Sequence, residues 1–372
     1  MAGTMEHSIL KEATQANLDI YLTKRVYEPL YYPDFFPVKR VNSLKFETLV
    51  GNEGNRVAAD VVSYNASAPI KTRKVLSKLT GDIPPTRISR DMTETDLNNY
   101  NVMKAMGTDK RQLLDLVFND VDFCVNGVNA RLEWLAIQAM AGGTIDLSTT
   151  NNAGVITETQ IDFQLPTANK EVEGSVNYYW TTGAYATNIP ITDIETIVAE
   201  AKAAGSGIKY IIMNLSKFVA FQTSTQVQNY CGYGYVSGAI FRPIPTLEQA
   251  NAMLTSRGLP NIIVVDTSID IENAAHSITS YDPWLDSSAA DRYVLFAPQL
   301  PLGNMLVGPI AMETNPPKQA TISKKGHILV SKWSDVNPVC EWTMGETNAF
   351  PSWPTIGSCY VLDTESHTTF SA

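Results

Sequence analysis

The sequence predicts an α+β chain, on three observations. Residues 109–140 carry one long helical periodicity. Residues 190–300 alternate short apolar strands with helices, the pattern of an inserted α/β domain. The flanks, 42–92 and 301–372, read as strands punctuated by proline.

The long helix comes first because the other parts hang on it. Leu114, Val117, Phe118, Val121, Cys124, Val125, Val128, Leu132, Leu135 and Ala139 recur at steps of three and four, one face of a helix. Thr108 is a good N-cap, Asp109 suits the first turn, and Gly142-Gly143 ends the run. At 1.5 Å per residue the helix is roughly 48 Å long. The apolar spacing keeps no strict heptad, so it predicts a strut rather than a coiled-coil strand. The stripe Leu114, Val117, Val121, Val128, Leu132 and Leu135 is expected to be buried. The opposite face, with Asp115, Asp122, Asn126 and Glu133, is expected to stay wet or to meet a neighbour. Gly127, in mid-helix, costs about 1 kcal/mol relative to Ala.

Before the strut, residues 4–22 have helical spacing and give way to YEPLYYPDFFPV. Pro29, Pro33 and Pro37 forbid a continuous helix or a central strand there. So many aromatics on an extended arm predict packing on this chain or on a neighbour. Residues 43–50 alternate as a strand, 55–64 form a weaker one, and 74–79 return, continued by 87–91 past Pro84-Pro85. This long hairpin has little apolar area of its own, and a lone two-stranded ribbon is marginal in water. TETD at Thr93 opens a short helix to about Met106.

After the strut, residues 146–180 read as strands with polar turns. Helices are expected at 191–204, 215–228 and 247–257, and strands at 209–213, 261–267, 292–297, 327–333 and 359–363. CGYGYVSG (231–238) reads as a loop, since it lacks the GxGxxG spacing and follows a helix.

Charge is unevenly spread. The net charge is −10, and residues 146–372 hold all of the excess, with 11 basic and 21 acidic groups. Within 56–90 the balance reverses: Arg56, Lys71, Arg73, Lys74, Lys78, Arg87 and Arg90 face only Asp60 and Asp82. A basic stretch on an acidic chain is a solvated loop, a nucleic-acid contact or a dock for the acidic part of another copy.

Enzymatic constellations are not visible. The histidines (His7, His276, His327, His367) are scattered, with no HExxH, no Walker loop and no GxSxG. No catalytic residue, cofactor-binding residue or metal ligand is therefore assigned. Cys124, Cys231, Cys340 and Cys359 form no CxxC pair and are expected as reduced thiols. No apolar run is long enough to span a membrane, and the first residues carry no secretory pattern.

Several stretches, in this order and spacing, resemble one family. They are TGDIPPTRISRDMTETDLNNY (80–100), VNGVNARLEWLAIQAMAGGTIDL (125–147), ITETQIDFQL (156–165) and YYWTTGAYATNIPITDIETIVAEAKAAG (178–205). YIIMNLSKFVAFQTSTQVQ (210–228), GLPNIIVVD (258–266), YVLFAPQLPLGNMLVGP (293–309) and NPVCEWTMGETNAFPSWP (337–354) follow. Together they resemble the major capsid protein of tailed double-stranded DNA phages, with the Hong Kong 97-type fold, and most of all the lambda-type major capsid protein E family.

The resemblance implies an N-terminal arm (1–41), an extended loop (42–92) and a peripheral domain (93–185) holding the spine helix. It further implies an axial domain (186–300) and a return to the peripheral domain (301–372). It implies a head protein that self-assembles as pentamers and hexamers into an icosahedral shell, made in the bacterial host cytoplasm. Scaffolding, portal and decoration proteins would be further partners, with weak non-specific contact to the enclosed DNA. Lys71, Arg73, Lys74, Lys78, Arg87 and Arg90 are the candidate inter-subunit contacts. The competing readings are a cellular nanocompartment shell of the same fold and a cytosolic α/β enzyme whose site converges only in three dimensions.

Overall fold

The structure is a computed structural model. It describes residues 14–50, 77–107, 110–148, 151–152, 159–172, 180, 188–232, 234–236, 239–241, 243–272, 276–284 and 292–365. The expected strand 55–64, the hairpin tip and the cap at Thr108-Asp109 lie outside these residues. The chain divides into two compact units. One is drawn from residues within 1–46, 80–134 and 304–352, the other from 47–79, 135–303 and 353–372.

The first unit is built on a six-stranded sheet. Its central strand, Val339–Ser352, pairs antiparallel with Ile328–Val336, with Pro85–Met92 and with Asn304–Val307. Thr321–Lys325 extends the sheet beyond Ile328–Val336, and Val38–Arg40 runs parallel to Asn304–Val307. The stretch read as a continuation of the hairpin, 87–91, is thus an edge strand of this sheet. The ribbon itself is Lys45–Val50 with Ser77–Asp82.

The spine helix spans Lys110–Gly142. Val117, Val121, Val125 and Val128 share one core with Leu18 and Leu22 of the helix Gln15–Lys24. Leu97 and Tyr100 of Glu94–Ala105, and Ile328 and Val330 of the sheet, complete it. Thr93 and Asp96 form a reciprocal capping box at the start of Glu94–Ala105, as TETD predicts. Leu132 and Leu135 are buried, as the stripe requires, while the side chains of Leu114 and Asp115 lie outside the described residues.

Two glycines let sheet and helix touch. A Cβ at Gly345 of the central strand would lie 2.9 Å from the backbone oxygen of Cys124. A Cβ at Gly127 of the helix would lie 2.6 Å from the δ-methyl of Ile88, the residue paired with Gly345.

The second unit holds a mixed five-stranded sheet in the order Asn261–Val265, Tyr210–Asn214, Tyr293–Ala297, Tyr360–Asp363, Lys170–Val172. The first and last pairs are parallel, the middle two antiparallel. Tyr360–Asp363, read from sequence with the C-terminal return, lies in this sheet. The helix Pro190–Ala203 buries Ile191, Ile194, Ile197 and Ala201 in the unit's core. Leu247–Ser256 adds Ala250, Met253 and Leu254. Each ends at a glycine of positive φ, Gly205 and Gly258, where Ser206 N–H reaches Ala201 O and Leu259 N–H reaches Leu254 O. That closure needs a left-handed residue, which glycine adopts without a Cβ clash.

Two expectations are corrected here. The helix expected over 215–228 is two, Leu215–Thr223 and Thr225–Cys231, because Ser224 takes ψ 133° and breaks the ladder. The expected loop 231–238 includes Gly234–Val236, which pairs antiparallel with Ala239–Phe241.

Candidate assembly interface

The candidate contact residues fall into two groups. Lys71, Arg73 and Lys74 lie outside the described residues, and Lys78 sits on the described strand Ser77–Asp82 with its side chain outside them. Arg87 and Arg90 lie on the edge strand Pro85–Met92 and already have partners in their own chain. Arg87 Nε donates to Glu346 Oε2 at 3.0 Å, across the strand pair. Arg90 lies 3.5 Å from Asp120 of the spine helix, with its guanidinium over the Phe123 ring at 4.8 Å. Both arginine side chains remain about half exposed.

Beneath the sheet these pairs continue into a buried ionic group. Lys332 and Glu341, on adjacent strands, are each 1% exposed and 3.5 Å apart. Lys332 also donates to the Thr343 hydroxyl at 2.8 Å. Burial pulls the Asp120 carboxyl above the usual range, against the pull of Lys332 and Arg90. Such a group holds a register rather than doing chemistry, because a buried charge left without its partner is costly.

The N-terminal arm is fastened through carboxylates on the helix face that the sequence reading left to solvent or to a neighbour. Glu133 is 2% exposed, not solvated, and accepts the backbone N–H groups of Tyr31 and Tyr32 at 2.9 and 2.8 Å. Those amides open the short helix Tyr32–Phe35, which has no side-chain cap of its own. Asp122 accepts the hydroxyls of Tyr21 and Tyr27 at 2.7 and 2.9 Å and pairs with Arg25 at 2.9 Å. Of the opposite face, Asn126 is exposed as expected. The arm aromatics Tyr32, Phe35 and Phe36 are buried on this chain. The Tyr32 hydroxyl meets His327 Nε2 at 3.2 Å, and burial lowers the His327 pKa to about 4, so this histidine is neutral. One signal for Glu133 was present in the sequence: a carboxylate between Leu132 and Trp134 in an otherwise apolar run must find donors.

Two of the thiols are poor nucleophiles by burial. Cys124 and Cys359 are buried, which pushes them up to about 11 and about 12, away from the thiolate needed for nucleophilic work. Among the described residues no group of three or more His, Cys, Asp or Glu side chains could hold a metal ion. No described helix is long and apolar enough to cross a membrane.

A long helix under a six-stranded sheet, a separate mixed sheet wrapped in helices, and an extended ribbon are the anatomy of a shell-forming subunit with the Hong Kong 97-type fold. The chain belongs to the phage major capsid protein E family, which matches residues 19–363. No curated protein matches it. Among solved structures, a prophage capsid protein from Escherichia coli CFT073 is similar, with TM-score 0.54 and 14% identity over 94% of this chain and 98% of that one. A phage-related protein from Bordetella bronchiseptica RB50 is similar too, with TM-score 0.52 and 12% identity over 94% and 96%. At these identities the likeness is one of fold. The family decides between the readings left by the sequence: this is a structural protein of the phage head, not an enzyme and not a cellular compartment shell.

Proposed function

We propose that copies of this chain close into an icosahedral shell of pentamers and hexamers around double-stranded DNA, after synthesis in the host cytoplasm. In this reading the basic hairpin of one copy lies on an acidic surface of the next, with Lys71, Arg73, Lys74 and Lys78 as the pairing cations. One observation carries it: seven basic groups stand against two acidic ones in residues 56–90, while residues 146–372 are acidic by ten. A ribbon of two strands gains little by folding alone and gains a surface by docking. Arg87 and Arg90, paired inside the chain, root the base of the hairpin and contribute to the neighbour only through their exposed faces. Each exposed ion pair is worth about 0–1 kcal/mol, but a closed shell repeats it many times.

The same charge balance disfavours tight binding of the enclosed DNA, whose phosphates the acidic body repels. Scaffolding, portal and decoration proteins are the remaining partners of this reading. The test is reversal of Lys71, Arg73, Lys74 and Lys78 to glutamate, followed by sedimentation and negative-stain microscopy. Soluble subunits without shells are expected, and normal shells at moderate salt overturn the pairing.

A further inference from the structure

Two carboxylates of the spine helix tie the arm down. The first, Asp122, holds Tyr21, Arg25 and Tyr27 through three contacts of 2.7 to 2.9 Å. The second, Glu133, holds the amides of Tyr31 and Tyr32. The two carboxylates stand 11 residues apart, close to three turns, and so share one helix face. Gly127, the only glycine before the helix's last residue, lies between them. Glycine is where a helix bends, since it has the most backbone freedom to regain. The arm also grips the sheet independently. Lys325 donates to the carbonyls of Leu22 and Arg25 at 2.6 and 2.9 Å, while Tyr21 stacks on Phe118 of the spine helix at 4.4 Å, on the Asp122 side of Gly127.

We propose that residues 14–36 act as a splint across Gly127, so that the fastening at Glu133 sets whether the spine helix bends there. The two ends are unequal. Asp122 has two hydroxyls and a guanidinium, while Glu133 has two neutral amides. Burial pulls the Glu133 carboxyl toward its neutral form, which accepts those amides less well. The Glu133 end is therefore the one that lets go first. With it free, the helix on the far side of Gly127 loses its brace while the core around Val117, Val121 and Val125 stays closed.

Hydrogen exchange by mass spectrometry on the full-length protein tests this. In Glu133→Gln, amides over residues 124–131 should exchange about tenfold faster, while those of 293–297 in the second unit stay as in the parent. Stiffening the helix with Gly127→Ala should then restore their protection. Ile88→Val accompanies it to remove the methyl that would obstruct the new Cβ. If Glu133→Gln does not fold, Tyr21→Phe with Tyr27→Phe loosens the other end while keeping both rings, and the same rescue applies. Acceleration confined to the arm, acceleration throughout the chain, or faster helix exchange that the stiffened helix does not slow would each overturn the splint.

Discussion

The two units set their buried charges in different places. The second packs Ile211, Met213, Val294, Phe296 and Leu362 of its sheet against Ile194, Phe221 and Leu254, an apolar core. The first carries Asp120, Glu133, Lys332 and Glu341 in its interior, each at 8% exposure or less. An apolar core tolerates exchange of shape at modest cost, whereas a buried charge accepts one partner and few positions for it. The second unit also buries charge, Lys217 beside Glu365 and Asp363 beside Arg292, but near the ends of its elements, whereas Lys332 and Glu341 of the first face each other on adjacent strands. A pair between adjacent strands penalises a slipped register.

The largest effects should come from breaking one pair in the first unit and from emptying one core site in the second. Lys332→Met takes from the buried Glu341 carboxylate the cation 3.5 Å away and should cost about 3–5 kcal/mol by denaturant melting. Lys332→Met with Glu341→Leu should recover most of that loss. If the double variant is no better than the single one, pairing does not hold this sheet. In the second unit Phe296→Ala should cost about 3–5 kcal/mol through lost transfer energy and the cavity left, with no partner able to rescue it. On the spine helix, Leu132→Ala should cost about 2–5 kcal/mol for the same reason.

The glycines give a smaller and more discriminating contrast. Gly345→Ala meets backbone atoms of Cys124, which cannot step aside, and should cost about 1–3 kcal/mol. Gly127→Ala meets only the end of the Ile88 side chain, which can rotate, so its melting should stay within about 1 kcal/mol of the parent. Equal losses would mean that the two contacts are equally rigid.

The smallest effect is one of pH. Glu171, on the strand Lys170–Val172, is raised to about 7 by partial burial and by the carboxylate of Glu200, to which it hydrogen-bonds. A carboxyl that keeps its proton in the folded chain favours folding. That contribution is full below the ordinary glutamate range, shrinks as pH climbs from there, and is gone above about 7. Glu171→Gln should flatten that stretch of the melting-against-pH curve, and an unchanged slope would remove the pair from the account.

Legibility followed the range of the forces. The spine helix was readable because its period repeats over nine turns, and the capping box at Thr93 because it is local. The break at Ser224 left only a weak trace, the polar run QTSTQ (222–226) between Phe221 and Val227, which the polar face of one continuous helix also accommodates. The candidate contacts were visible only as charge. Arg87 and Arg90 meet Glu346 and Asp120 over separations of 259 and 30 residues, which no local pattern encodes. Glu133 was misread because helical phase alone set it on the outer face, where the arm returns to cover it.

The central strand Val339–Ser352 has a kinetic consequence. It joins strands that begin at residues 85, 304 and 328, so the edge strand Pro85–Met92 finds its partner only across some 250 residues of chain. Contacts of such separation form slowly, because the loop must be closed before the pairing returns anything. During synthesis, Pro85–Met92 waits with an open edge until residues 341–348 have emerged. The ribbon Lys45–Val50 with Ser77–Asp82 precedes that strand in the chain. A subunit cut short before residue 339 should therefore leave Pro85–Met92 without its partner strand, and the ribbon that precedes it without a rooted base.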